Sequence, residues 1–466
     1  MRKKKSGRLT TGTGEKIIMA AYLLLFFVVA ASMALYQPLA DNLPYFANPP
    51  DEHARYLIPQ FICKYGRLPT GFEREVRIPS YGFSYGFYNV FPYIVMGWVM
   101  RFVKLFTDSE LILLYAARLI NVFAGTGMAV MVRLLSRRWF SDHRFGWLFC
   151  FAVMFLPQSL FVHTYVNTDS FCLLSTAMIL YGLVCAWQDG FGYRNSLWLS
   201  AGIILCALSY YNAYGFILSA ILLFFASFYR GRRGKASYDY LGVLTWGSFI
   251  SATVLLGISW WFLRSYILYD GDFLGLETRQ LCAAMYGTGD VNPLSGSTYQ
   301  ARGYTVWEML KESNFFDGAF IGFVAAFGSM SIKADIWLYR LYKVFLYGGL
   351  LGYMVTIWKY RKKSDFKTLF FHANMIFCAV MPLVLTIYYS YTMDYQNQGR
   401  YLMPMVIPLM YYVVKGLERL RGLLVKVPEK WITAAVGAGL GIIVAALLVM
   451  VYGYAFPIYM ETGMVM

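Results

Sequence analysis

Residues 17–35 have the sequence IIMAAYLLLFFVVAASMAL, which contains no charged residue. An α-helix needs about 20 consecutive apolar residues to cross the hydrocarbon core of a bilayer. Comparable apolar blocks recur along the chain, for example at residues 145–162 and 431–452. These blocks predict an integral membrane protein built from α-helices that span the bilayer.

The composition of the whole chain agrees with this prediction. Of the 466 residues, 59% are apolar and only 14% are charged, whereas a soluble domain has roughly 25% charged residues. The net charge of +16 could indicate a nucleic-acid partner, but lysine and arginine are concentrated in short runs between apolar blocks, such as 2–5, 137–138, 230–235 and 359–363. Such runs are typical of cytoplasmic loops and are attracted to anionic lipids. We therefore expect membrane lipids, and no nucleic acid, as partners.

The apolar pattern also predicts a topology. With the amino terminus in the cytoplasm and the first span retained, about eleven transmembrane helices are expected, with the carboxyl terminus outside. They are predicted near residues 17–37, 113–135, 145–162, 170–187, 196–211, 213–229, 243–265, 337–358, 368–389, 401–415 and 432–454. Two outer loops, 38–112 and 266–336, are long enough to be functional. The predicted fold is a single all-α transmembrane domain over residues 1–466, whose outer loops carry interfacial helices.

Residues 89–106 decide this topology. The segment is apolar enough to cross the membrane, but it contains Pro92, Arg101 and Lys104. Counting it as a span would reverse the orientation of everything after it and place Arg137 and Arg138 outside, against the positive-inside rule. We therefore predict that this segment is an interfacial or re-entrant helix.

The segment richest in reactive side chains follows the first span and reads Asn48-Pro49-Pro50-Asp51-Glu52-His53-Ala54-Arg55-Tyr56. Asn48 and the prolines favour a helix start that places Asp51 and Glu52 in the first turn. There the helix dipole stabilises an ionised carboxylate, which can take a proton from a sugar hydroxyl. The alternative is that both acids only stabilise the helix, with Asp51 and Arg55 forming an i,i+4 ion pair.

Further candidates lie at the outer ends of predicted spans. Asp169 either caps the following helix or is a second carboxylate facing Asp51. Arg118 and Arg400 could each bind a phosphate bidentately or anchor to lipid headgroups. The aromatic run at residues 81–93 is either an interfacial belt or a wall for docking sugars.

The sequence also contains candidates for a metal site and for a disulfide. A metal site could use Asp51, His53, His163 and Asp169, but no motif with metal-ligand spacing is present. Carboxylates alone could hold a weakly bound Mg²⁺ or Mn²⁺. No cofactor is therefore assigned. Cys63 and Cys282 both lie in predicted outer loops and could form one disulfide.

An Asp-Glu pair followed by His and Arg-Tyr, soon after a first span with a basic front, resembles the GT-C superfamily of membrane glycosyltransferases. The protein O-mannosyltransferase and aminoarabinose-transferase branch is similar, as are less characterised bacterial multi-pass relatives. Later landmarks occur in the same order: Ala117-Arg118-Leu119, Asn167-Thr168-Asp169 and Gln398-Gly399-Arg400-Tyr401. The Trp-Trp-Asp motif of the oligosaccharyltransferase type is absent, because Trp260-Trp261 is followed by Phe262.

The resemblance implies an inverting glycosyltransferase of the plasma membrane. It would move one sugar from a polyprenyl-phosphate donor to an extracytoplasmic acceptor, which could be a cell-envelope polysaccharide, a lipid or a protein. Asp51 would be the base, with Glu52 supporting it or substituting for it, and Arg400 and Arg118 would neutralise the leaving phosphate. The other residues expected to bind substrate are His53, Arg55, Asp169, Gln398 and Tyr401.

Two other classes of function are compatible with a membrane protein of this kind. A polysaccharide or lipid transporter or flippase would need polar side chains along a path through the membrane. The predicted spans at 17–37, 145–162, 170–187 and 432–454 contain no charged residue, which disfavours this alternative. A non-catalytic protein of envelope assembly would tolerate the loss of Asp51.

Overall fold

The computed structural model of the chain describes residues 12–39, 47–88, 90–232, 235–288, 298–361, 366–423 and 426–461. The basic run at residues 2–5 lies outside the described residues. So does the end of the chain at residues 462–466, which was predicted to be external. Each of the two predicted outer loops is described except for short internal stretches.

The described chain is almost entirely helical. Its helices are α1 (Thr13–Tyr36), α2 (Glu52–Tyr65), α3 (Phe91–Val103), α4 (Glu110–Trp139), α5 (His143–Met154), α6 (Pro157–Phe161), α7 (Asp169–Asp189), α8 (Tyr193–Ala207), α9 (Tyr214–Ser227), α10 (Tyr240–Leu268), α11 (Leu276–Tyr286), α12 (Val306–Glu312), α13 (Phe315–Val324), α14 (Ile336–Arg361), α15 (Phe366–Thr392), α16 (Val406–Arg421), α17 (Glu429–Leu448) and α18 (Phe456–Glu461). A π-helical turn, Val449–Ala455, joins α17 to α18.

Short elements complete the fold. Two antiparallel hairpins pair β1 (Tyr229–Arg232) with β2 (Lys235–Tyr238), and β3 (Ala326–Phe327) with β4 (Ile332–Lys333). In the first hairpin Tyr229 lies opposite Tyr238, and in the second Ala326 lies opposite Lys333. The 3₁₀ turns are Arg74–Val76, Tyr85–Phe87, Tyr211–Ala213 and Gly399–Met405.

The structure confirms an all-helical membrane architecture. Among the described residues, six helices are long and apolar enough to span a bilayer: α1, α4, α7, α10, α15 and the continuous stretch Glu429–Glu461. Every predicted span coincides with helical residues, but some are shorter or interrupted. The predicted span at 145–162, for example, is divided into α5 and α6. The number eleven, and the single domain over residues 1–466, therefore stay predictions.

Helix α3 has the features expected of an interfacial helix. Its 13 residues rise about 20 Å, less than the roughly 30 Å of the hydrocarbon core. Large apolar side chains, including Trp98 and Phe102, are exposed on it, and Leu105 and Phe106 are exposed just beyond its end. The opposite face of α3 packs against α2 and α4. An exposed apolar face beside Arg101 and Lys104 is suited to the membrane surface.

The predicted topology can be tested by labelling single cysteines. Ser109 and Ser141 are both exposed and lie at opposite ends of α4. We expect Ser109→Cys to react with a membrane-impermeant thiol reagent in intact cells and Ser141→Cys to react only after permeabilisation. The seven native cysteines are all buried, so the wild type should give a low background. Labelling of Ser109→Cys only from the cytoplasm would contradict the topology.

The native cysteines also correct one expectation. Cys63 and Cys282 are both free, and the thiol of Cys282 donates instead to the carbonyl oxygen of Gly82 at 3.3 Å. The disulfide considered from their positions in the two outer loops is therefore not formed.

Helix α4 is largely buried and packs against α1, α3, α5 and α7. A second close pair is formed by α14 and α16, where the backbones of Gly349 and Gly416 touch and leave no room for a Cβ atom. Small residues at such crossings allow membrane helices to approach closely. Helix α10 has few buried residues, as expected for a helix that faces lipid.

Candidate active site

Glu52 and Arg118 form a fully buried ion pair near the carboxyl end of α1. Nε and Nη2 of Arg118 donate to the two carboxylate oxygens of Glu52 at 2.8 and 2.6 Å. Glu52 also accepts a hydrogen bond from the backbone N–H of Val166 at 2.7 Å. The other N–H groups of Arg118 point to the carbonyl oxygens that end α1, those of Ala34, Gln37 and Pro38. The pair therefore joins α1, α2, α4 and the turn before α7.

These contacts change the roles expected of both residues. An arginine has five N–H donors, and each one on Arg118 has a protein acceptor. Both oxygens of Glu52 are likewise engaged. The contacts therefore do not support Arg118 as a phosphate ligand or Glu52 as a base, and they favour a structural role for both.

The backbone at Asp51 differs from the expected first helical turn. Helix α2 begins at Glu52, and Asp51 precedes it in the left-handed region with φ 58°. Its side chain makes no hydrogen bond to the helix N-terminus. Asp and Asn are the non-glycine residues that tolerate this conformation best. Because of this turn, Asp51 and Glu52 have entirely different surroundings although they are adjacent in sequence.

Asp51 lies between two arginines. Its Oδ2 accepts a hydrogen bond from Nη2 of Arg400 at 2.7 Å and lies 3.7 Å from Nη2 of Arg55. The carboxylate side chain keeps 33% of its surface exposed. Burial by itself would raise the pKa of Asp51, but the positive charges of Arg400 and Arg55 outweigh it and lower that pKa. Asp51 is therefore ionised at neutral pH.

Arg400 is held in the 3₁₀ turn Gly399–Met405, which packs so tightly on α13 that a Cβ atom at Gly399 would overlap the backbone of Phe323. Its guanidinium is 2% exposed, and Nη2 donates to the hydroxyl of Tyr401 at 2.9 Å as well as to Asp51. Nη1 has only a long contact of 3.5 Å to the Pro50 carbonyl oxygen, and Nε has no partner. Arg400 thus has donors that the surrounding protein does not fully satisfy.

Arg55 connects Asp51 to the start of α7. Its Nη1 donates to the hydroxyls of Tyr93 and Thr168, both at 3.4 Å, and its guanidinium lies 4.8 Å from the centre of the Tyr85 ring. Burial would lower the pKa of Arg55, but its surroundings raise it well above the usual range through Tyr93, Tyr85, Asp169 and Asp51. Asp169 itself is buried as the first residue of α7. Its charge contributes to the raised pKa of Arg55, but Asp169 is not part of the cavity wall that contains Asp51.

One cavity of about 1200 Å³ brings the two predicted outer loops together. Seven of the predicted site residues line it, namely Asp51, Glu52, His53, Arg55, Gln398, Arg400 and Tyr401. Glu52 borders the cavity, but its carboxylate points into the buried pair, whereas Arg118 and Asp169 are not part of the wall. A smaller groove near Arg144 and Arg421 contains none of the predicted residues.

Aromatic side chains form much of the cavity wall. They are Tyr81, Phe83, Tyr85, Tyr88, Tyr93, Tyr210, Tyr211, Tyr388, Tyr389 and Tyr401. Five of them belong to the aromatic run at residues 81–93. Phe83 and Tyr93 are buried in the protein, so at these positions the docking wall fits better than a membrane belt.

Several residues of the wall were not identified from the sequence. Arg279 of α11, Asp394 after α15 and Asn212 between α8 and α9 all line the cavity. The amide of Asn212 donates to the carbonyl oxygen of Tyr401 at 2.6 Å and so supports the turn that carries Arg400. In the sequence, Arg279, Asp394 and Asn212 are distinguished only by lying in a long predicted outer loop or at the predicted outer end of a span.

The metal site considered from the sequence is not assembled. Among the described residues, no group of three or more His, Cys, Asp and Glu side chains is placed to hold a metal ion. His163 is fully buried, and its Nδ1 lies 2.5 Å from the hydroxyl of Ser170. Asp51 is occupied by two arginines.

The fold is similar to that of two solved glycosyltransferases. The oligosaccharyltransferase of Archaeoglobus fulgidus in its apo form has a TM-score of 0.52 at 14% identity, covering 97% of this chain and 56% of that one. ArnT from Cupriavidus metallidurans bound to undecaprenyl phosphate has a TM-score of 0.51 at 13% identity, covering 97% of this chain and 76% of that one. The chain thus spans about half the length of the oligosaccharyltransferase. The fold is that of the GT-C glycosyltransferases, as the sequence resemblance implied.

Sequence comparisons place the chain in a family. None of the curated proteins matches the sequence. The family described as "Predicted membrane protein (DUF2142)" matches residues 57–410, a range that begins just after Asp51 and extends past Arg400. Because this match covers more than half of the sequence, the chain belongs to the DUF2142 family of predicted membrane proteins.

Proposed function

We propose that the cavity is the active site of an inverting glycosyltransferase that uses a polyprenyl-phosphate sugar. The observation that carries the proposal is the Asp51–Arg400 ion pair of 2.7 Å in the cavity wall. It places an ionised carboxylate next to a cation that has unused donors. A base and a cation for the leaving group are what direct displacement at an anomeric carbon requires. The GT-C fold also supports a glycosyltransferase over a transporter or a non-catalytic assembly protein.

The transfer itself is a single displacement. The acceptor hydroxyl loses its proton to Oδ of Asp51 as its oxygen bonds to the anomeric carbon. The bond from that carbon to the phosphate oxygen breaks, and its electron pair leaves with the phosphate. One displacement inverts the configuration at the anomeric carbon. Arg400 would stabilise the phosphate as its negative charge grows.

Because the guanidinium of Arg400 would contact both Asp51 and the donor phosphate, donor binding could activate the base. A carboxylate whose pKa is lowered is a weak base. A donor phosphate that binds to Arg400 would compete with Asp51 for the same guanidinium and reduce its hold on the carboxylate. We propose that donor binding thereby raises the pKa of Asp51 and prepares it to accept the proton.

The remaining predicted residues fit a substrate-binding role. His53 and Gln398 lie in the cavity wall, and Nε2 of Gln398 donates to Oε1 of Gln396 at 2.7 Å. Sugar rings stack on aromatic faces and hydrogen-bond to hydroxyls such as those of the tyrosines nearby. We propose that the aromatic wall binds the sugars and that the cavity opens on the outer face of the plasma membrane.

Turnover by the purified protein tests the function. The protein in detergent or nanodiscs would be incubated with a panel of polyprenyl-phosphate sugars and with polysaccharide, lipid and peptide acceptors. Transfer from at least one donor, with inversion at the anomeric carbon, is expected. Absence of transfer across the panel, by a protein that melts cooperatively and binds polyprenyl phosphate, would contradict the proposal.

Arg400 provides a test of the leaving-group role. A phosphate ligand uses the planar fork of the guanidinium, so Arg400→Lys should be slower than wild type although its charge is kept, and Arg400→Ala slower still. The transfer rate at saturating donor should fall more than donor affinity, because charge on the phosphate grows in the transition state. Equal rates for Arg400→Lys and wild type would show that Arg400 is not the phosphate ligand. Thermal melting of each variant separates lost chemistry from unfolding.

A further inference from the structure

Arg279 is distinguished from the other arginines of the cavity wall by its lack of a counter-ion. Arg55 and Arg400 both pair with Asp51. Arg279 is only 8% exposed, yet no carboxylate of the described residues lies within 4 Å of it, and its Nε has no hydrogen-bond partner. A buried cation without a counter-ion is costly, so it is a place where a bound anion would be stabilised.

Two aromatic rings orient this guanidinium. Arg279 belongs to α11, and its Cζ lies 4.8 Å from the centre of the Phe83 ring and 5.2 Å from that of Tyr88. Both rings belong to the first outer loop, so the contact joins the two outer loops at the cavity. Stacking holds the planar group by its faces, so its hydrogen bonds are made along the edge, where the hydroxyl of Tyr389 in the same wall also interacts with it.

The charges of the wall also favour an anion. Glu52 is neutralised by Arg118 outside the cavity. The remaining charged groups of the wall are two carboxylates and three guanidinium groups, so positive charge is in excess. They are Asp51, Asp394, Arg55, Arg279 and Arg400. Asp394 is exposed and accepts a hydrogen bond from Gln396 at 2.6 Å, so it is engaged elsewhere.

We propose that Arg279 is an anion-binding residue that holds a phosphate or carboxylate group of a substrate in this cavity. The identity of that substrate rests on the proposed glycosyltransferase function. The anion is either the phosphate of the lipid donor or an acidic group on a glycan acceptor. Both use the same contact, a bidentate pair of N–H donors on one guanidinium edge.

Equilibrium binding to the purified full-length protein tests this site without requiring turnover. The probes are undecaprenyl phosphate and, as its neutral counterpart, undecaprenol, together with a glucuronate-containing oligosaccharide and its neutral glucose counterpart. The variant is Arg279→Gln. The matched control is Arg77→Gln, because Arg77 also stacks on a ring, that of Tyr286 at 3.6 Å, but does not line the cavity.

We expect Arg279→Gln to weaken binding of one anionic probe by about tenfold or more. Binding of the neutral probes, and of every probe to Arg77→Gln, should match wild type. A loss confined to undecaprenyl phosphate identifies the donor phosphate, and a loss confined to the acidic oligosaccharide identifies the acceptor. Unchanged binding of both anionic probes, an equal loss for the neutral ones, or no anion binding by the wild type would overturn the proposal. A protein that binds an anion through Arg279 but transfers no sugar would contradict only the proposed function.

Discussion

Asp51→Asn is expected to reduce the rate of sugar transfer by about 10²–10⁴, while the protein still folds. The change removes the proton acceptor and keeps the shape of the side chain. Asn also tolerates the left-handed backbone at this position, where φ is 58°. Loss of the carboxylate leaves Arg400 and Arg55, which are themselves buried, without their shared counter-ion. We therefore expect a lower melting temperature but not unfolding, because one-third of the Asp51 side chain is exposed and solvent reaches this position. The measurement is the transfer rate at saturating donor together with thermal melting.

Asp394→Asn is the matched control for this change. Asp394 is the other exposed carboxylate of the cavity wall, and it has no arginine partner among the described residues. We expect the Asp394 variant to keep most of the wild-type rate. If Asp51→Asn retains most of the activity, or if Asp394→Asn loses as much, then Asp51 is not the base and the mechanism given above is wrong.

Arg118→Leu is expected to have the largest effect on stability. Removing one partner of a buried ion pair typically costs about 3–5 kcal/mol, because the other charge is left in the protein interior. Here the stranded charge is Glu52, and the carbonyl oxygens that end α1 lose their donors as well. We expect a low yield of folded protein and a clear fall in the melting temperature in detergent.

Arg137→Leu on the same helix is the control for Arg118. Arg137 pairs with Glu15, but both side chains are about one-third exposed. Removing Arg137 should therefore lower the free energy of unfolding by at most about 1 kcal/mol. The double change Glu52→Met with Arg118→Leu should recover part of the stability, because no buried charge remains. An Arg118→Leu protein with normal stability and a reduced transfer rate would instead support the phosphate-binding role first expected for Arg118.

The membrane architecture could be predicted from the sequence because the bilayer imposes a local requirement. Within hydrocarbon every backbone N–H and C=O group must be bonded inside its own helix, so an apolar block such as residues 17–35 has only one suitable conformation. A different local signal, the presence of Pro92, Arg101 and Lys104, underlies the prediction that α3 does not cross the membrane. The Asp51 segment and Arg400 were found from their residue types, their order and their position at the outer ends of spans.

The division of roles within the site was decided by the tertiary structure. Asp51 and Glu52 are adjacent, yet one pairs with Arg400, 349 residues away, and the other with Arg118, 66 residues away. Arg279 lies in the same wall without a counter-ion among the described residues. Nothing in the sequence around Arg279 indicates this, because neighbouring charges are set by packing. Whether a carboxylate is a base or half of a buried ion pair depends on the charges that packing brings within a few ångströms. Those neighbours come from distant segments, so the sequence determined the helices and the candidate residues, and only their packing determined which charge faces the cavity.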